Sequence, residues 1–129
     1  MPAETGHHLG ETTMSLTQIA FLLFAAIAAG GLTMAAIISA GKSPPAFMGV
    51  GHGIGGLVAC AVLFVANLQG GDATPDAAWW ALVVFTSGLA GGLLLFRVLF
   101  KGATPLILIA GHGSVAALGL YLLYPLTGF

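Results

Sequence analysis

Four apolar stretches, Ile19 to Ala40, Ala46 to Leu68, Ala77 to Leu99 and Pro105 to Leu123, take up most of this chain, and none carries a charge near its middle. Each is long enough to cross a hydrocarbon core of roughly 30 Å at a helical rise of about 1.5 Å per residue. With 3 Lys+Arg and 4 Asp+Glu among 129 residues, and a mean hydropathy of +1.05, the chain has too little charge to dress the surface of a water-soluble domain. The predicted fold class is therefore all-α: a four-helix transmembrane bundle over residues 17–129, preceded by a polar tail over residues 1–16.

The tail contains Glu4 and Glu11 but no Lys or Arg, so it lacks the basic opening of a secretory signal, and the first stretch reads as a retained helix. The charges sort by side. Lys42, Arg97 and Lys101 fall at the connections joining spans one to two and three to four, while Glu4, Glu11, Asp72 and Asp76 fall at the opposite ends. Because basic loops stay cytoplasmic, both termini and the loop over residues 69–76 are expected on the outer, periplasmic side of a bacterial inner membrane. Trp79, Trp80, Tyr121 and Tyr124 mark the outer headgroup level, and Pro44, Pro45 and Pro105 open spans two and four, where a missing N–H costs nothing.

The chain also matches itself at an offset of about sixty. Gly30-Gly31-Leu32 answers Gly91-Gly92-Leu93, a basic turn comes after each, and Pro45 with Gly51-His52-Gly53 answers Pro105 with Gly111-His112-Gly113. The expected architecture is two tandem helical hairpins, about 17–68 and about 77–126, inserted in the same direction as a parallel repeat. Spans two and four then run the same way, and His52 and His112 lie level, about 10 Å from the start of their helices.

Ionisable side chains inside a bilayer are costly and mark functional sites by default. Two level imidazoles suit a six-coordinate haem iron, which takes one nitrogen on each face at about 2 Å. Gly51, Gly53 and Gly56 around one histidine, and Gly111, Gly113 and Ser114 around the other, leave room for a flat ring, and the Met48 and Leu108 carbonyls stand one turn back as acceptors for the second ring nitrogens. The expected site is thus His52 and His112 as metal ligands with these small residues lining a haem b. Glycines four apart are also how membrane helices bring their backbones together, so a histidine in such a seam equally reads as an interhelical packing residue. A chlorophyll-type magnesium, a copper ion or a quinone head group on one imidazole are further readings. Cys60 is a lone, small, buried hydrophobe, and His7 and His8 read as solvated tail residues.

On His52, His112, their flanking glycines and the span count, the chain resembles the small membrane cytochromes b: four-helix haem subunits of the cytochrome b561 type and the membrane anchors of respiratory dehydrogenases. The resemblance implies transmembrane histidines clamping haem b, and electrons passing between quinone and a partner. It departs from the many members that hold two haems with four histidines, since only two histidines lie in spans here, and no signature defines a quinone pocket.

The expected function is a one-haem electron-transfer subunit attached to a larger membrane complex or homo-oligomer. The alternative is a structural or assembly subunit of a respiratory or photosynthetic complex. A transporter fits less well, because every charge lies near a span end. Three basic residues make no footprint for nucleic acid, and no paired carboxylates, phosphate loop or Ser-His-Asp set suggests catalysis by the chain alone.

Overall fold

A hydroxyl at Ser15 with Gln18 three residues later starts the first helix: the Gln18 N–H donates to Ser15 Oγ at 3.1 Å, and the Ser15 N–H donates to Gln18 Oε1 at 2.9 Å. This reciprocal capping box begins α1 at Leu16, three residues before the apolar run, so the helix takes in the last residue expected of the polar tail. The computed structural model describes residues 13–100 and 105–129. His7, His8, Glu4, Glu11 and Lys101 lie outside the described residues.

The described chain forms four helices: α1 (Leu16–Ser39), α2 (Ala46–Gly70), α3 (Asp76–Leu93, continued as a π-helix over Leu94–Leu99) and α4 (Leu106–Leu123). Among the described residues there is no strand. Pro45, Pro75 and Pro105 each occupy the N-cap position, where the lost N–H is an orphan in any case. Gly41, with a φ of 74°, lets the chain leave α1 in a left-handed conformation that most side chains resist. All four helices are long and apolar enough to cross a membrane, and the chain is an integral membrane protein.

Short connections make sequential helices antiparallel neighbours, and α4 closes the ring by packing on α1. Inward positions recur with spacings of four and three. They run Ala20, Phe24, Ile27, Gly31 on α1; Gly56, Ala59, Leu63, Asn67 on α2; and Ala81, Phe85, Gly88, Gly92 on α3. This is the seam of left-handed helix packing.

The register is fixed by small residues facing large ones. A Cβ on Gly55 would lie 3.2 Å from Ile27, and one on Gly88 would lie 3.2 Å from Val115. In the first hairpin α2 supplies the gap and α1 the bulk; in the second, α4 supplies the bulk and α3 the gap. Ala20, Leu63, Ala81 and Leu123 are all fully buried in one core cluster. Phe85 faces Gly119, and the Phe24 and Phe85 rings stack across the bundle with centroids 3.5 Å apart and planes 5° apart.

Lipid is as apolar as leucine, so these layers are held by close van der Waals contact rather than by escape from water. The outer faces carry the remaining apolar bulk, with Phe47 75 % and Ile107 78 % exposed to what is hydrocarbon in the cell.

Replacing Ser15 with Ala removes the acceptor for the Gln18 N–H and is expected to cost about 1 kcal/mol at the start of α1. Hydrogen exchange should accelerate over the first turn of α1 and stay unchanged in α2.

Candidate functional site

His52 and His112 each sit seven residues past the proline that caps their helix, and each keeps the inward phase of its seam, His52 lying one turn before Gly56. Equal spacing from equivalent helix starts brings the two side chains to the same level. Their rings meet inside the bundle from α2 and α4, with centroids 6.0 Å apart and planes inclined by 56°. Both imidazoles are half-buried, about 10 Å from the basic end of the spans by helical rise.

The close neighbours of the imidazoles come from the other two helices. A Cβ on Gly31 of α1 would stand 3.0 Å from His52 Cε1, and a Cβ on Gly92 of α3 would stand 3.0 Å from His112 Cε1. Any larger residue at either place would press on the ring. The sequence displays both glycines within its matched Gly-Gly pairs, yet only the seam spacing of four and three reveals that Gly31 and Gly92, rather than Gly30 and Gly91, face inward.

The glycines flanking the histidines have a different place. Apart from the histidine next to it in the chain, a Cβ on Gly51, Gly53, Gly111 or Gly113 would meet nothing within 4 Å, so these residues leave open space beside α2 and α4. Gly56 is buried one turn farther in, where a Cβ would reach Leu89 at 3.4 Å. Ser114 is exposed, and its hydroxyl donates to the Ala110 carbonyl at 2.9 Å.

The second ring nitrogens are not held by Met48 or Leu108: among the described residues, neither carbonyl accepts from an imidazole, and His52 Nδ1 is buried with no hydrogen-bond partner. The Ile27 backbone approaches the His52 ring from α1 without completing a bond of good geometry to that nitrogen. The carbonyls one turn back lie along the helix wall and are engaged in its backbone ladder, while the side chain projects across the bundle. Nδ1 is thus a buried polar atom whose pairing the protein leaves incomplete.

The two sides of the site are not alike. Four residues after Gly92 stands Phe96, whereas four after Gly31 stands Ala35. Phe96 lies in the π-helical stretch and sets its ring edge-on to His112, with centroids 5.9 Å apart and planes at 88°. A π-turn inserts an extra residue into the helix and re-aims the side chains beyond it, which is why such turns gather near functional groups. Beside His112 a groove of about 190 Å³ opens between α3 and α4, lined by Gly88, Gly91, Leu95 and Gly111 among others.

Among the described residues no third His, Cys, Asp or Glu joins the pair, so the donor set is two imidazoles facing one another. Cys60 is buried in the core cluster with Leu63, as a small hydrophobe would be. Trp80, Tyr121 and Tyr124 are exposed near the acidic end of the bundle, where Asp72 and Asp76 lie; Lys42 and Arg97 occupy the other end. No known protein family, curated protein or solved structure matches the chain.

Proposed function

We propose that this chain is a one-haem electron-transfer subunit of a membrane complex, with haem b held between His52 and His112. The observation that carries the reading is the separation of the two rings. An iron with an imidazole nitrogen about 2 Å away on each face puts the ring centroids roughly 6 Å apart, and those of His52 and His112 are 6.0 Å apart.

The donor set fits as well: neutral nitrogen donors, no competing carboxylate among the described residues, and an unpaired His52 Nδ1. The macrocycle itself demands more room than the present packing leaves. Gly31 and Gly92 already hold the imidazoles at close contact, so seating a porphyrin requires the basic ends of the spans to part. The π-helical end of α3 carries Phe96 against His112, next to where that room is needed.

Bound there, the group supplies a one-electron iron couple. His52 and His112 would be the two residues that hold the group, and with both imidazoles engaged the chemistry it would supply is electron transfer rather than substrate turnover. The surrounding apolar layers keep water from the site. The imidazoles lie about 10 Å from the basic end of α2 and roughly 27 Å from its other end by helical rise, so a redox partner, whether a neighbouring subunit or a quinone, engages the basic end. The sorting of charge supports a cytoplasmic location for that end in a bacterial inner membrane.

A second reading has its own support. An imidazole resting at 3.0 Å from the Cβ position of a facing glycine is also a knob in a hole, which suits a structural subunit whose histidines pack helices together. Iron and haem determination on the purified protein separates the two. The haem reading expects about one iron and one haem b per chain; protein that is well folded and free of iron after expression with ample haem supports the structural subunit.

A further inference from the structure

The groove beside His112 runs along the basic half of α3 and α4, from Ser87 to Leu95 on one wall and from Ile107 to Val115 on the other, about 12 Å of helical rise on each. Its rim residues Ser87, Ile107 and Gly111 are exposed, so the groove faces the surrounding hydrocarbon. His112 itself is part of the lining, whereas His52 Nδ1 is buried. The two halves of the repeat differ here. At the offset that pairs Gly31 with Gly92, Gly88 pairs with Ile27, Gly91 with Gly30 and Arg97 with Ala36. The α3 wall is bare backbone at Gly88 and Gly91, one turn apart, where α1 carries Ile27 packed toward Gly55.

We infer that this groove is the side from which haem passes out of the bilayer and into the bundle, an inference that rests on the haem reading above. Three features select that occupant. A side chain of ligand type, His112, stands in the wall, so a group entering here meets one of its two proposed holders directly. The rest of the lining suits a flat apolar body, with Leu95, Leu108 and Val115 between the glycines. Haem also carries two carboxylates on one edge, and Arg97 stands on α3 two residues past Leu95, near enough to the helix end for its long side chain to keep the guanidinium at the headgroup level. An apolar body in the groove with its anionic edge toward the basic end matches that sorting. On α1 the position of Arg97 is taken by Ala36, so the first hairpin offers no such pairing within its helix.

The test is the rate at which the haem-free, detergent-purified full chain takes up added haemin, followed by growth of the Soret band, in the parent and in Gly91→Leu, Gly111→Leu and Gly30→Leu. Apart from chain neighbours and the backbone of its own helix, a Cβ at any of these three positions would meet nothing within 4 Å, so none of the substitutions begins with a clash. Gly91→Leu and Gly111→Leu narrow the groove from its two walls, and Gly30→Leu is the matched control on α1. Uptake is expected to slow about tenfold in the first two and to stay within about twofold of the parent in the third, with Gly91→Leu reaching the parent's final haem content. A parent chain that takes up no haem would overturn the haem reading and this route with it. A parent that loads while Gly91→Leu and Gly30→Leu load at equal rates would overturn the route alone, as would a lower final content in Gly91→Leu at an unchanged rate, which makes Gly91 part of the seat rather than of the path.

Discussion

Converting His52 or His112 to alanine is expected to lower the haem content of the purified protein at least tenfold, to about 0.1 per chain or less, while helix content and membrane insertion stay as in the parent. In the proposed site each imidazole would hold one face of the haem, and among the described residues there is no further metal-ligating cluster to take its place. A substitution that moves a ring without deleting it should act the same way. Gly31→Leu places side-chain atoms where a Cβ alone would stand 3.0 Å from His52 Cε1, whereas Gly30→Leu puts them where nothing lies within 4 Å. Haem content should fall in the first variant and hold in the second, measured by pyridine haemochrome against protein concentration. Equal loss in both would mean that Gly31 does not position the imidazole.

The largest effect on stability is expected at Gly119. A Cβ there would lie 2.6 Å from both Cε1 and Cζ of Phe85, a ring that is 7 % exposed and stacked at 3.5 Å on Phe24. The ring cannot retreat without breaking the stack, so Gly119→Val should destabilise by about 1–3 kcal/mol from overpacking, with the lost aromatic pair adding about 0.5–1.5 kcal/mol. Gly113→Ala, facing open space, should be neutral or slightly stabilising. Reducing the ring by Phe85→Leu should recover part of the loss in the Gly119→Val background. A double-mutant cycle in unfolding experiments reads that coupling directly, and additive costs would show that the clash is relieved elsewhere.

The spans are legible because hydrocarbon imposes a length and an absence of charge that few other environments demand, and proline at the start of α2 and α4 sharpens their limits. The beginning of α1 is less so: an apolar run begins at Ile19, but the capping pair Ser15 and Gln18 starts the helix at Leu16. That signal is present in the sequence as Ser-x-x-Gln, and hydropathy overshadows it. The π-turn over Leu94–Leu99 leaves no comparable trace, since an inserted residue in an apolar helix changes phase without changing composition.

At the site, the two histidines stand out by their matched contexts, and they do face each other across the bundle. Adjacency in sequence accounts for only part of their surroundings, with Gly111 lining the groove beside His112. Residues next to one another on a helix point about 100° apart, so Gly51, Gly53, Gly111 and Gly113 stand to the sides of the inward histidines rather than across from them. The residues that meet the rings come from α1 and α3 at the same layer.

The most direct test of the central claim is a reduced-minus-oxidised absorption spectrum of the purified chain after expression with sufficient haem. Two imidazoles gripping one iron predict a sharpened α band and a shifted Soret band on reduction, both absent from His52→Ala and His112→Ala. A flat difference spectrum from folded, membrane-extracted protein would contradict the account and return His52 and His112 to the packing of the helices.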